Sequence, residues 1–500
     1  MKVKKILSAV LALTLSTSAL AVMSGSAEET ASTAPLFGDI DGNGTVNATD
    51  AAYILKYAAA FGSGLFDGTL DEYMRQKIQP QGISDGGEKL TIASWNDNDL
   101  KNMIEVFNKD YPDIAVEYVN CGADSGADAN VKYKSFLNSG EGVDLFIAES
   151  GWILDYINNE GYSVPLSELG ITEADYQNAY DYTVDIGTDN NGILKGASWQ
   201  AAPGGFCYNT TLAKQYLGVE TPEEMQAKIS DWDKFESTAA ELYSATDGAV
   251  TMTATIDGMW QCYASASNAP WVIDGKVNTE TALNFTNMLI PYVTNNYIDP
   301  TIEQWSAEWK TLGKENKTLG YFFSTWCLTS GTQLEENCGT DGNWNIVIGP
   351  QEYFWGGSWL CVSPKCDNKT EAAQFIRYFT SDAESMEKYA LASGDFVNNK
   401  SVMEKISAGD YSNPLLGGQN QFAVLKDAAE NIKLNESITP YDETLKQALR
   451  YALYSSIFNG DAQQVIDEFL VQAKNDVPEL FPEEETSAES QETTYPEAIG

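Results

Sequence analysis

The chain has 500 residues, a formal charge of -42 and no histidine. The missing histidine excludes Ser-His-Asp triads, His-based zinc sites and His general-base catalysis, while carboxylate chemistry stays open. The acidity disfavours nucleic acid as a partner, because that needs a cationic face to displace counterions.

The chain opens Met1-Lys2-Val3-Lys4-Lys5, runs apolar from Ile6 to Leu15 and reaches small residues at Ala19-Leu20-Ala21 and Gly25-Ser26-Ala27. Residues 1–27 read as a secretory signal peptide, with cleavage after Ala21 or Ala27. Losing Lys2, Lys4 and Lys5 leaves -45. No later run has the length of a membrane span. A secreted protein, extracellular or associated with the cell surface, is expected. The first cysteine is Cys121, so no Cys stands near the cleavage region to carry a lipid anchor.

Residues 35–80 suggest a small separate module. Within it, Asp39, Asp41, Asn43 and Asp50 place side-chain oxygens at positions 1, 3, 5 and 12 of a loop. Thr45 offers a backbone carbonyl, Gly44 takes the sharp sixth position and Val46 the apolar eighth. A helix from Ala51 to Ala60 is expected to follow. Asp50 in the last ligand position, with Ile54-Leu55-Lys56-Tyr57 after it, resembles the repeat of dockerin modules. That resemblance implies a small helical EF-hand-like module with bound Ca2+ and a cohesin domain as candidate partner. A second stretch, Phe66 to Met74, ends on Met where the closing carboxylate belongs, so one calcium ion is expected.

From Leu90 the pattern alternates. Leu90 to Trp95 reads as a buried strand, and Leu100, Met103, Ile104, Phe107 and Tyr111 fall at helical spacing before Pro112. Ile114 to Val119 and Val143 to Ala148 read as strands, Val131 to Leu137 and Trp152 to Asn158 as helices. Strands alternating with helices imply an α/β fold with a mainly parallel sheet. Such sheets bind ligands beyond the carboxyl ends of their strands, where Trp95, Glu149, Ser150 and Trp152 would lie. About 390 residues from Leu90 to Val477 exceed one core, so two lobes are expected. Residues 478–500, rich in Glu, Ser, Thr and Pro, read as a disordered acidic tail. The seven cysteines are scattered, and free thiols packing as small hydrophobes are one reading of them.

Aromatic residues punctuate this region at Trp95, Trp152, Trp199, Tyr208, Trp260, Trp271, Trp326, Trp355 and Trp359. Most Trp residues serve cores, but several of these stand beside Gly, Asn, Gln or Ser, as a sugar cleft requires. With only Arg75, Arg377 and Arg450 in the chain, a guanidinium clamp for an anion is scarce, so a neutral ligand fits better.

Four stretches in order resemble the extracellular solute-binding proteins of carbohydrate ABC importers, the maltose-binding-protein-like family. They are Leu90–Trp95 leading to Phe107–Ile114; Ser139–Phe146 with Trp152 and Pro165-Leu166; Trp199–Asn209 with Trp232–Phe235; and Gly320–Trp326 with Gly349-Pro350 and Trp355–Trp359. The resemblance implies a hinged, two-lobed periplasmic-binding-protein-like fold, with lobe 1 from 88–202 and 353–394 and lobe 2 from 203–352 and 395–477. Crossings would fall near Ala202, Glu352 and Gly394. It further implies that Tyr208 and Trp326 stack on sugar rings and that Asn96, Asp97 and Glu149 accept hydroxyl hydrogens. The turn at Gly356-Gly357 would let backbone approach the ligand. Trp95 stands beside those acceptors, and Trp199, Trp260, Trp355 and Trp359 complete the candidates. The implied partners are a neutral oligosaccharide and a membrane permease, with no catalysis. The alternatives are a glycoside hydrolase, which needs paired carboxylates, and a structural component of a cohesin-dockerin complex.

Overall fold

The computed structural model describes residues 54–55, 57–58, 69–70, 83–95, 97–122, 126–139, 143–159, 161–265, 269–434 and 438–481. The signal segment, the five expected calcium ligands Asp39, Asp41, Asn43, Thr45 and Asp50, and residues 482–500 lie outside them. The chain divides into two units, Met1–Ile83 and Ser84–Gly500; the fold that follows is that of the second.

Its principal elements begin with β1 (Leu90–Ser94), α1 (Asp97–Asp110), β2 (Val116–Asn120), α2 (Gly126–Ser139), β3 (Leu145–Glu149) and α3 (Leu154–Ile157). β4 (Gly196–Ser198), β5 (Gly204–Asn209), α4 (Trp232–Thr246), β6 (Thr251–Thr253), α5 (Ile256–Ser265) and α6 (Glu280–Thr294) follow. Then come β7 (Thr318–Ser324), β8 (Trp344–Val347), β9 (Ser358–Val362), α7 (Lys369–Thr380) and α8 (Ala383–Ser393). The chain continues through α9 (Gln421–Asn431), α10 (Asp442–Ser456) and α11 (Ala462–Asp476).

Two sheets result. The first has the order β2-β1-β3-β9-β4, and the second β8-β5-β7-β6. β1 is parallel to β2 and β3, whereas β9 runs antiparallel to β3 and β4. In the second sheet only the β6–β7 pair is parallel. The expected mainly parallel sheet is therefore mixed, because β9 enters its sheet from the neighbouring lobe rather than over a crossover helix. All residues of β5, β7 and β9 are buried. Since neighbouring side chains point to opposite faces, both faces of these strands are covered.

Leu100, Met103 and Phe107 form the buried stripe of α1 at helical spacing, each with 0% exposure. In α10 the buried stripe is Leu445, Leu449 and Leu453, each contributing roughly 1.5–3 kcal/mol on burial. This stripe joins the core of the second lobe, together with Phe206, Phe322 and Phe469. Asp144, just before β3, clamps the first lobe. One carboxylate oxygen accepts from the Thr91 amide (2.7 Å) and hydroxyl (2.8 Å), the other from the amides of Asp367 (2.9 Å) and Asn368 (3.1 Å).

Pro478–Leu480 forms a 3-10 turn, with Leu480 buried in the second lobe's core. The expected disordered tail thus begins too early, because Leu480 completes the packing beyond α11. All seven cysteines are buried free thiols. Among the described residues no helix is long and apolar enough to cross a membrane.

Candidate functional site

Three passages of chain connect the sheets, and backbone pairing holds them together. Gln200 bridges Val397, and Pro203 bridges Phe354. Ala202 between them has φ 50°, a left-handed conformation costly for a residue with a Cβ. Its carbonyl accepts from the Trp355 amide and the Ser324 hydroxyl, both at 3.1 Å. Gly356 and Gly357 have φ 81° and 96°, which only glycine adopts freely. A Cβ on Gly356 would lie 3.1 Å from the Trp326 indole nitrogen. The Gly357 carbonyl accepts from the Ser150 amide (3.2 Å), tying the turn to the end of β3.

An aromatic cluster stands beside that turn on the second lobe. The half-buried Trp326 donates its indole N–H to the Trp355 carbonyl (2.8 Å), with ring centroids 4.8 Å apart at 65°. Trp305 is 49% exposed and lies nearly parallel to Trp326, 6.2 Å away at 19°. It also meets Trp309 edge-on at 4.9 Å. Such pairs contribute about 0.5–1.5 kcal/mol each beyond burial.

Trp305 and Trp355 line a cavity of about 330 Å³ with Trp260, Gln261, Gln304 and Arg450. Its base is an ionic network. Asp257 accepts from Arg450 Nε (2.8 Å), the Tyr454 hydroxyl (2.8 Å) and the Gln304 amide (3.0 Å), and Arg450 Nη2 donates to Glu303 (2.7 Å). The helical repeat of α10 sets Lys446 four residues from Arg450 on the same side, and Lys446 also lines the cavity.

The lobes meet close by. Glu149 ends β3 in the first lobe, and its carboxylate accepts from the Ser150 hydroxyl (2.7 Å) and the Gly151 amide (2.8 Å). Glu443 of α10 faces it: a Cβ on Gly151 would lie 3.0 Å from a Glu149 oxygen and 3.3 Å from a Glu443 oxygen. Burial, and then the Glu443 charge, push the Glu149 carboxyl above its usual range, against the two hydrogen bonds. Burial opposes the charge of Lys446, but Glu443 and Glu149 outweigh it and hold the ammonium above its ordinary pKa. Lys446 sits 3.2 Å from Glu443.

The structure scatters the sequence-predicted site residues. Trp326, Trp355, Gly357 and Glu149 gather around the turn and the facing lobe, and Trp260 lines the cavity while 5% exposed. Trp95 follows β1 at its carboxyl end, half-buried, with an indole N–H that meets no acceptor among the described residues. Asn96 and the side chain of Asp97 lie outside the described residues. Three expectations are corrected. Tyr208 is 1% exposed inside the second lobe, because β5 is an interior strand with both faces covered. Burial pushes its hydroxyl pKa up to about 12, against a hydrogen bond with Asn345. Trp359 is 1% exposed on the interior strand β9 and donates its indole N–H to the Thr183 carbonyl (2.8 Å). Trp199 is 1% exposed behind the first passage, where its carbonyl accepts from Asn398.

Sequence reasoning missed Trp305, Arg450, Lys446 and Glu443. The signal for Trp305 was its polar setting, Glu303-Gln304-Trp305-Ser306, which an interior Trp rarely has. Nothing local in α10 marks its charged side as a wall of the cavity. Among the described residues no group of three or more acidic or cysteine side chains is arranged to hold a metal.

Two α/β lobes, three connecting passages and an aromatic-lined cavity beside them are the architecture of a two-lobed solute-binding protein. The chain belongs to the bacterial extracellular solute-binding protein family, whose pattern residues 102–414 match. No curated protein sequence matches it. Among solved structures, an extracellular solute-binding protein of family 1 aligns over 78% of this chain and 99% of its own, at 19% identity and a TM-score of 0.68. The ABC-transporter-associated binding protein of B. animalis subsp. lactis Bl-04, in complex with β-1,6-galactobiose, covers 79% and 99% at 17% identity and TM-score 0.62. The galacto-N-biose/lacto-N-biose I-binding protein of a Bifidobacterium longum ABC transporter, in complex with lacto-N-biose, covers 80% and 98% at 16% identity and TM-score 0.60. At these identities the likeness shows the fold.

Proposed function

We propose that this protein binds a neutral oligosaccharide outside the cell and delivers it to a membrane ABC permease, leaving the sugar's bonds uncut. The observation that carries the reading is the Trp305–Trp326–Trp355 cluster beside the connecting passages, opening on neutral amides and on charges already paired. A pyranose offers flat C–H faces for such rings and hydroxyls for Gln261, Gln304 and Glu149. The sugars held by the structural neighbours support the same class of ligand. Two or three stacked rings with paired hydroxyls reach a micromolar dissociation constant, about 8 kcal/mol.

Calorimetric titration with β-1,6-galactobiose, lacto-N-biose, maltose and longer neutral oligosaccharides tests this. At least one is expected to bind and to be recovered intact by chromatography. A folded chain that binds none, or that releases shorter sugars, contradicts the reading.

The loop from Asp39 to Asp50 is proposed to hold one Ca2+ through Asp39, Asp41, Asn43, Thr45 and Asp50, with a cohesin as candidate partner. Calcium titration of the full chain and of its Asp39→Ala variant checks the ion. A cohesin pull-down with and without chelator checks the partner.

A further inference from the structure

Trp305 combines three properties that rarely coincide. It is bulky, it is 49% exposed, and its backbone sits at φ 72° in the left-handed region. Large residues are genuine outliers there, and such strain persists only where surrounding structure over-determines it. The surroundings here are explicit. Asp257 holds the Gln304 amide, Arg450 holds Glu303, and the single Tyr454 hydroxyl proton is shared between Asp257 (2.8 Å) and the Ile302 carbonyl (3.1 Å). Three consecutive residues before Trp305 are thus fastened to α5 and α10. A merely structural tryptophan would bury its ring, as Trp309 does at 2% exposure four residues later.

The network also fixes the charge of the cavity. Arg450 is matched by Asp257 and Glu303, and Lys446 by Glu443. Neither lining cation is left without a carboxylate, and Glu149 adds a further acidic group nearby. An anion entering this space would face Asp257, Glu303, Glu443 and Glu149, with both lining cations already paired.

We infer that Trp305 is a ligand-stacking residue, presented by the Asp257–Arg450–Tyr454 network, and that this network restricts the cavity to uncharged sugar rings. The inference rests on the sugar reading above and deepens it. Trp305 touches ligand; Asp257 acts through it as a positioning residue.

The test compares the full chain with its Trp305→Ala, Trp305→Phe and Asp257→Asn variants. Each is titrated calorimetrically with β-1,6-galactobiose, lacto-N-biose, maltose and digalacturonate, and each is melted without sugar. The parent is expected to bind a neutral disaccharide and to leave digalacturonate unbound. Trp305→Ala should weaken the neutral sugar about tenfold or more, with Tm lowered by only a few degrees since the ring is half exposed. Trp305→Phe should recover most of the affinity, and Asp257→Asn should weaken it while the chain stays folded. Unchanged affinity in Trp305→Ala, failure of that variant to fold, or digalacturonate binding as tightly as the neutral sugar would each overturn the inference and leave the sugar reading standing. A parent that binds none of the four and none of the longer neutral oligosaccharides overturns both.

Discussion

Backbone tolerance is narrowest where the connecting strands enter the second lobe. Gly204 starts β5, and a Cβ there would lie 2.1 Å from the Tyr353 ring, whose single hydroxyl proton is shared between the Phe323 (2.9 Å) and Gly205 (3.0 Å) carbonyls. Tyr353 cannot move without giving up that shared hydrogen bond in a buried setting. Gly204→Ala is therefore expected to lower stability by roughly 2–3 kcal/mol, read from the urea midpoint. A variant within about 0.5 kcal/mol of the parent would show that the ring can yield. Residue chemistry placed the Gly204-Gly205 pair within the Trp199–Asn209 stretch without marking its close approach to Tyr353. It could not separate Tyr208, four positions on, from Trp326, since an aromatic flanked by polar residues looks alike on an interior strand and at a strand end.

The third connecting passage carries a buried carboxyl with consequences for the element it belongs to. Asp395 is 7% exposed and accepts from the Phe396 amide (2.8 Å) and the Gln200 side chain (3.2 Å), which links the passage to the first. Burial, and then the charge of Asp99 on α1, push its pKa up to about 7, and burial raises Asp99 itself to about 6. Besides Asp99, the groups facing it are Gln200 and Trp199 of the first passage and Tyr389 of α8. A carboxyl whose folded pKa lies above its unfolded value binds more protons in the folded state. Its contribution is fully present at the acid end, and stability falls as pH rises from about 4 to about 7. Asp395→Asn should remove most of that slope and raise Tm at pH 8 relative to the parent. Thermal unfolding between pH 4.5 and 8 checks it, and a variant less stable than the parent at pH 8 would contradict the sign.

The two lobes sense each other where Glu443 of the second lies over Gly151 of the first. Burial and Glu443 raise the Glu149 pKa in this arrangement, so a state with the lobes parted is expected to hold it lower, and closure would then take up protons. A neutral ligand that selects the closed arrangement is then expected to bind more tightly at pH 5 than at pH 8. Glu443→Gln should flatten that dependence and raise affinity at pH 8, since it removes the facing charge and leaves Lys446 beside Glu149. Calorimetry at both pH values, repeated in buffers of different ionisation enthalpy, measures the affinity and the proton uptake. A parent whose affinity is the same at both values would show that Glu149 does not report closure. By itself the amino-acid order determined the class of the molecule: strands and helices alternating from Leu90, two lobes from chain length, and a solute-binding fold from four ordered stretches. Those are local or additive properties, carried by periodicity, glycine placement and total apolar content. Only the tertiary structure decided which aromatics are walls of the cavity and which are core. That depends on how many neighbours each strand acquires in its sheet, which buried Tyr208 and Trp359, and on the packing of the first connecting passage, which buried Trp199. It also brought Trp305 to the charged side of α10, nearly 150 residues away in the chain, through contacts that no local pattern encodes.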